Sequence, residues 1–380
     1  MRGRRYAVRV VTHVIIPLML LPTPHLAQRV IEAHGTVEAD LVMVYGALDG
    51  PNALTHVNDL VVSEAGLVFV AQPSECVIKV FYPDGSLRET IGGRGRGPGE
   101  FQEIGNITLV GGELHVYDPV LSRRTVFNQD GTRVRDERVR VQGVLPQWLR
   151  ELHANGDVDL ARVEELPSRF EDPSPQRSYW LVVDSGTVLD TLGMFRRPEQ
   201  SIVLRHDRGW YYQGQPFDTF PVLVPDEGRA WLVRRTNGDI VELTMSRDTA
   251  AAYKVGLPQS PVDRQAINRA VDPILNRIEG RIRNARQALE DALLVPDSLP
   301  ALYGATAGRD GTVWLRSRDL GTWWIVSTRT RRLYEVGIPG GVGVKWSDQG
   351  SVWGVRLGEF DEPYVVQYAL RGGEWGESRN

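Results

Sequence analysis

Polar side chains stand where three predicted strands begin, and they are the residues of this sequence best suited to hold a ligand. Asn58 and Asp59 begin one strand, Asn106 begins a second, and Gln147 with Trp148 begins a third. Carboxylate and amide oxygens bind calcium ions and hydrogen-bond to small polar molecules. The same groups also cap strands and hydrogen-bond to neighbouring strands, which is the alternative interpretation. These five residues are the candidate ligand-binding set, and no catalytic residue or metal-ligand set is assigned.

The signatures of several other chemistries are missing from the sequence. The segment GRGRGPG (93–99) alternates glycines as a phosphate loop does, but it contains Pro98 and no helix pattern follows it. No H-E-x-x-H motif, paired-cysteine metal motif or G-x-S-x-G nucleophile motif occurs. Cys76 is the only cysteine, which excludes an intrachain disulfide and favours a buried structural residue over a reactive thiol. No cofactor is therefore evident, and calcium is the one cation left open.

A repeat organises the chain around these positions. Six segments share a turn glycine followed by alternating apolar residues, which is the pattern of a tight hairpin leading into a strand. A second hairpin follows each first one, as in VIKVFYPDGSLRETIG (77–92), so each unit predicts a four-stranded antiparallel sheet. The class predicted is all-β, a six-bladed β-propeller. The turn glycines are Gly66, Gly112, Gly156, Gly228, Gly311 and Gly350.

Two segments depart from the repeat. The apolar segment 37–45 precedes the first unit, and the last unit lacks an outer strand, so we expect residues 37–45 to close the last blade. Residues 258–296 follow the fourth unit and repeat apolar residues at helical spacing, which predicts a helical insertion that Pro273 breaks or kinks. The apolar stripe of this insertion should pack internally on the propeller, with the surface of a partner protein as the alternative. Residues 28–380 then form one propeller domain.

The N-terminus has the order of a secretory signal. Basic residues between Arg2 and Arg9 precede an apolar run from Val10 to Leu21, and Ala27 offers a small residue for cleavage. The run is too short to span a bilayer. We therefore expect residues 1–27 to be a signal peptide, with an uncleaved anchor as the alternative. The residue immediately after Ala27 is Gln28 and not cysteine, so a lipoprotein is not expected. The product should be soluble in the periplasm or secreted.

The charge of the chain limits its partners. The formal net charge is −4 and the isoelectric point lies near 6.0, so no general basic field exists for a nucleic acid backbone. No transmembrane segment is expected after cleavage of the signal. The expected partner is a protein or a small molecule.

A phrase in the second unit carries a family resemblance. The stretch GRGRGPGEF (93–101) is followed by a strand, a hairpin and then SRRTVFNQDGT (122–132). This order resembles the NHL-like six-bladed β-propeller proteins of bacteria, with Ser122 at a position where that family has Asn. The resemblance is specific over residues 56–140 and implies a fold, because propellers of this kind serve many functions.

Two functional hypotheses follow. The first is an extracytoplasmic binding or interaction module, favoured because a complete propeller repeat lacks any nucleophile, metal or phosphate signature. The alternative is a divalent-metal-dependent hydrolase or lyase resembling sugar-lactone hydrolases, in which Asn58, Asp59 and Asn106 would supply oxygen ligands.

Overall fold

The computed structural model describes most of the chain, and the predicted signal peptide, residues 1–27, lies outside the described residues. The described ranges are 28–165, 177–196, 201–206, 209–245, 249–278, 280–318 and 321–376.

The first three repeat units each fold into a four-stranded antiparallel sheet whose strands pair in chain order. Each predicted turn glycine lies between the first and second strands of its unit; Gly66, for example, has φ +78°, which a side chain would disfavour. Sheet 1 contains β3 (Asp59–Val62), β4 (Val68–Gln72), β5 (Val77–Phe81) and β6 (Leu87–Gly92); sheet 2 contains β7 (Asn106–Val110), β8 (Glu113–Asp118), β9 (Arg123–Asn128) and β10 (Arg133–Arg138); sheet 3 contains β11 (Leu149–Asn155), β12 (Val158–Glu164), β13 (Arg177–Asp184) and β14 (Thr187–Arg196).

The last three units are joined to the N-terminal strands. Strand β1 (Arg29–Val30) adds in parallel to the outer edge of sheet 4, and β2 (Glu32–Tyr45) lies inside an eight-stranded sheet. Sheet 4 otherwise contains β17 (Val222–Asp226), β18 (Arg229–Val233), β19 (Ile240–Thr244) and β20 (Thr249–Lys254); the eight-stranded sheet contains β21 (Leu302–Ala307), β22 (Thr312–Ser317), β23 (Thr322–Ser327), β24 (Arg332–Gly337), β25 (Gly343–Asp348), β26 (Ser351–Leu357) and β27 (Pro363–Arg371).

Strand β2 has two different partners along its length. Residues 32–37 pair in parallel with β24, and residues 38–45 pair antiparallel with β27. The segment predicted to close the last unit thus lies beside β27. Because β2 runs through both pairings, the sheets of the last two units are continuous. The predicted all-β propeller class is confirmed, whereas the six predicted sheets are not all separate.

The first strands of the units form a closed ring. Strands β3, β7, β11, β17, β21 and β25 contact one another in that order, and β25 returns to β3. Apolar clusters fill the space between successive sheets; one joins Val61 and Ile78 of sheet 1 to Ile107 and Leu114 of sheet 2. Another joins Tyr45 and Val365 to sheet 1, which connects the two ends of the chain. Successive side chains of a strand point to opposite faces of its sheet, so each sheet can present apolar side chains to the sheets on both sides.

The insertions beside sheet 4 pack on each other. Helices α1 (Arg264–Ile278) and α2 (Ala285–Ala292) cover a hairpin of β15 (Ser201–His206) and β16 (Gly209–Gly214). Ile278 is 1% exposed, so the apolar stripe is internal. Pro273 was predicted to break or kink the helix; it lies inside α1, which continues past it to Ile278, so the helix is not broken there, and the chain turns at Gly280, where φ is +80°. The stripe packs on this hairpin.

Candidate functional site

The ring of first strands encloses a channel with a cavity of about 160 Å³. Each of these strands contributes to its wall, so the site depends on the closed arrangement and on no single sheet. The polar and charged side chains of the lining are Asp59, Thr108, His153, Asn155, Asp226, Glu227, Thr306, Arg309 and Lys345.

Three of the five sequence candidates join neighbouring sheets. The Asn58 amide donates to the carbonyl of Ile104 at 3.0 Å. The Asp59 carboxylate accepts hydrogen bonds from the backbone amides of Leu60 at 3.0 Å and Ile107 at 3.1 Å. These contacts agree with the alternative interpretation, in which the polar residues hydrogen-bond to neighbouring sheets. Asp59 also lines the channel.

Asn106 has an equivalent position in sheet 2. Its side-chain oxygen accepts from the amide of Leu152 at 2.9 Å, and its nitrogen donates to the carbonyl of the same residue at 3.0 Å. Asn106 is 3% exposed and does not line the cavity. A buried amide with both halves hydrogen-bonded has a structural role.

Gln147 and Trp148 were predicted to enter the channel with the other candidates, but they are not among the residues that line its cavity. Both lie in a short 3-10 turn, Pro146–Trp148, that precedes β11. Gln147 is exposed, and the Trp148 ring packs against the core between sheets 2 and 3. The predicted strand begins at Leu149, after this turn, so Gln147 and Trp148 lie outside the ring of first strands.

The structure adds Lys345 and His153 to the site. The Lys345 ammonium donates to the carbonyl of Asn58 at 2.9 Å and thereby joins β25 to the start of β3. His153 Nε2 lies 3.2 Å from a carboxylate oxygen of Glu151. Burial acts to raise the pKa of Glu151, but the hydrogen bond to His153 and the charge of Arg162 hold it below its usual value. Glu151 is therefore an anion that orients the imidazole.

Burial and several neighbouring groups shift the pKa of Asp59. Burial raises the pKa of Asp59, and the Ile107 amide, His153 and Lys345 partly oppose the rise. A cation, an imidazole and a carboxyl group thus come from three different sheets. Together they can hydrogen-bond to a small molecule carrying oxygen atoms.

Arg309 crosses the other end of the channel. Its Nη1 lies 3.0 Å from Glu227, its Nη2 lies 3.5 Å from the carbonyl of Leu109, and its guanidinium carbon lies 4.6 Å from the Trp346 ring centroid. These partners belong to sheet 4, sheet 2 and β25. Arg309 therefore joins these three parts of the ring at the end near the first hairpin turns.

Signals for these residues were present but weak. Lys345 is a charged residue inside the apolar strand pattern VGVKWSD, and His153 interrupts β11 in the same way. Within the described parts of the chain, no three His, Cys, Asp or Glu side chains are grouped so as to hold a metal ion.

Comparisons with known proteins support the fold. No family model matches the chain, and no curated protein matches it. A candidate exported protein from Bacteroides fragilis has a similar structure, with TM-score 0.54 and 12% identity over 91% of this chain and 100% of that one. Streptogramin B lyase gives 0.44 and 12% over 87% and 97%. An inactive virginiamycin B lyase from Staphylococcus aureus gives 0.41 and 12% over 85% and 98%.

At 12% identity the similarity to the exported protein from Bacteroides fragilis shows the fold alone, and the sheet arrangement of this chain is that of the β-propeller class. In the part of the chain that the structure describes, no helix is long and apolar enough to cross a membrane.

Proposed function

We propose that this chain is an extracytoplasmic binding module, a six-bladed β-propeller of the NHL-like kind, whose central channel takes a small polar molecule. The blade count rests on β2. If the eight-stranded sheet is divided where β2 changes partner between Val37 and Glu38, each half has its own first strand, β21 or β25, and four antiparallel strands. Sheets 1 to 4 then supply the other four blades.

The observation that carries the binding proposal is Lys345. The chain has only three lysines against 41 arginines, and one of the three faces the channel. Its ammonium group has three N–H donors and one acceptor among the described residues, the carbonyl of Asn58. The remaining donors suit an oxygen acceptor of a ligand beside His153. A pocket with a few convergent polar groups on an apolar wall is typical of small-molecule sites.

The extracytoplasmic location rests on the sequence. The basic and apolar N-terminal residues have the order of a signal peptide, and one protein of similar fold is described as exported. N-terminal sequencing of the mature protein from its native cell should find Gln28 as the first residue. Finding Met1 on the folded protein would contradict export.

The binding proposal is tested by thermal unfolding with a panel of sugars, amino acids and carboxylic acids. A ligand at one hundred times its Kd stabilises by about 2.7 kcal/mol, which corresponds to a shift of several degrees in Tm. Lys345→Met should abolish the shift, and Lys254→Met, which alters an exposed lysine, should keep it. A shift that survives Lys345→Met would place binding outside the channel.

The metal-dependent alternative is tested in the same assay. Calcium chloride should leave Tm unchanged if the channel binds an organic molecule through Lys345. A calcium-induced rise that Asp59→Asn abolishes would instead favour a channel cation and the hydrolase or lyase hypothesis.

A further inference from the structure

Charged groups line the channel at both ends, and those at the end near the first hairpin turns are already paired. Asp226 contacts Arg229 at 2.8 Å, and Glu227 contacts Arg309 at 3.0 Å. Each of these carboxylates therefore has a guanidinium group to balance its charge. The charge that a ligand must carry is decided by the groups at the opposite end.

The opposite end contains Lys345 and Asp59, which belong to different sheets. The Lys345 ammonium donates to the carbonyl of Asn58 at 2.9 Å and forms no ion pair with any residue that the structure describes. Asp59 likewise forms no ion pair within the described part of the chain, because its oxygens accept from the backbone amides of Leu60 and Ile107. Both groups line the cavity.

The carboxyl groups at this end do not cancel the charge of Lys345. Burial has the largest influence on Asp59; it raises the pKa of this group and so favours the neutral carboxyl form. The neighbouring carboxylate belongs to a balanced group of two carboxylates and two guanidinium groups. They are Glu151, Glu164, Arg150 and Arg162. An ammonium group thus faces the cavity without a counter-ion, which is unfavourable beside an apolar wall.

We propose that the small polar molecule of the channel is an organic acid with a single carboxylate, which accepts hydrogen bonds from the Lys345 ammonium. We base this on the proposed channel function and add to it the chemical class of the ligand. A carboxylate supplies the missing negative charge, and its hydrogen bonds with an ammonium group are stronger than those of a neutral oxygen. The cavity of about 160 Å³ limits the acid to a small one.

Other ligand charges fit this end less well. A cation would be repelled by the Lys345 ammonium, and a neutral sugar would leave the charge of that ammonium uncompensated. A phosphate dianion would bring one charge too many. Phosphate also suits a free guanidinium fork, whereas Arg309 is held by Glu227 and the Trp346 ring. A single carboxylate matches the single uncompensated ammonium group.

The test is calorimetric titration of the whole protein at neutral pH with acids and their uncharged amides. The probes are lactate, glycerate and mandelate, then lactamide, glyceramide and mandelamide, and finally inorganic phosphate. We expect one or more acids to bind about tenfold or more tightly than the matching amide, because the amide keeps the size and the hydroxyl groups and removes the charge. Equal affinity of every acid and its amide, or tighter binding of phosphate than of any acid, would overturn the proposal.

Matched variants locate the carboxylate of the ligand. Lys345→Met keeps a side chain of similar length without the charge, so it should weaken binding of the acid about tenfold or more, to the affinity of the amide. Lys254→Met, at an exposed lysine, should leave the affinity unchanged. Asp59→Asn should keep the binding, because the ligand does not need an anion at this position. Loss of acid binding in the Asp59 variant, with Tm as in the wild type, would contradict an acid and favour a cation.

Two results separate the ligand class from the channel function. If no acid binds, but Lys345→Met abolishes the Tm shift caused by a sugar, the channel holds a ligand of another class and only the acid is excluded. If an acid binds equally well to the wild type and to the Lys345→Met variant, binding lies outside the channel. That second result would contradict both the acid at Lys345 and the channel function.

Discussion

Asn106 and Leu152 join two sheets through a reciprocal pair of hydrogen bonds, with the side-chain oxygen 2.9 Å from the backbone amide and the side-chain nitrogen 3.0 Å from the carbonyl of the same residue. Asp59 makes a similar contact one sheet earlier, where it accepts from the amide of Ile107. First strands of neighbouring sheets do not form a continuous ladder, so their facing backbone groups need side-chain partners. These residues keep the channel wall in register.

Asn106→Ala should destabilise the fold by about 2–3 kcal/mol, because it leaves the backbone amide and carbonyl of Leu152 unpaired in a buried position. Urea unfolding measures the change. Asn106→Asp should be at least as destabilising at pH 7, since a buried carboxylate oxygen would face the carbonyl of Leu152 and cannot donate to it. Asn128→Ala, at an exposed position of β9, should change stability by less than about 0.5 kcal/mol. Equal stability of the Asn106 and Asn128 variants would contradict the role of this contact.

The pH dependence of stability should report His115. Its pKa is about 4 in the folded protein, below the usual 6.5, so the unfolded chain binds a proton first as the pH falls. Stability is therefore complete above pH 6.5 and decreases as the pH falls towards 4. His115→Phe should flatten the curve in this window and change stability little at pH 7.5. Urea unfolding at a series of pH values measures this; an equally steep curve in the variant would show that His115 is not the group responsible.

The strand that spans two units should be needed for stability. A chain that begins at Gly46 lacks β2 and the buried side chains of Ile31, Val37 and Tyr45, and it exposes the edges of β24 and β27. Compared with a chain that begins at Gln28, we expect Tm to fall by on the order of 10 °C or more. Calorimetry measures this difference. Identical melting curves would mean that β2 adds nothing to the closed arrangement.

Ile278→Asp should unfold the insertion selectively. Ile278 is buried between α1, α2 and the β15–β16 hairpin, and a buried unpaired carboxylate should destabilise this cluster by about 3–5 kcal/mol. Hydrogen exchange should show loss of protection in α1 and α2 with sheets 1 to 3 still protected. Arg281→Asp, at an exposed position, is the control. Retained protection in the Ile278 variant would mean that the apolar stripe is not internal.

Local patterns in the sequence predicted the fold well. The turn glycines and the alternating residues after them identified each first hairpin, because both depend on neighbours a few residues apart. The helical spacing from Ile267 to Leu293 was also a local signal. The pattern left open whether Pro273 breaks or kinks the helix; α1 continues past it, packed on the β15–β16 hairpin, and the chain turns at Gly280.

The site was harder to predict because its contacts are distant in sequence. Lys345 hydrogen-bonds to Asn58, which is 287 residues away in the sequence, and Arg309 hydrogen-bonds to Leu109, which is 200 residues away. No residue near either cation in sequence indicates that it faces a channel. Asn58, Asp59 and Asn106 were found at strand starts, but the sequence left open whether they bind a ligand or a neighbouring sheet. Their hydrogen bonds to the neighbouring sheet become visible only in the closed ring.

The acetylation rate of Lys345 tests the channel assignment most directly. The three lysines can be followed separately by mass spectrometry, with exposed Lys254 as the internal standard and buried Lys79 as the slow reference. The account predicts that a compound of the panel that raises Tm also slows acetylation of Lys345 severalfold and leaves the rate at Lys254 unchanged. Compounds that raise Tm while Lys345 reacts at its original rate would contradict a ligand in the channel.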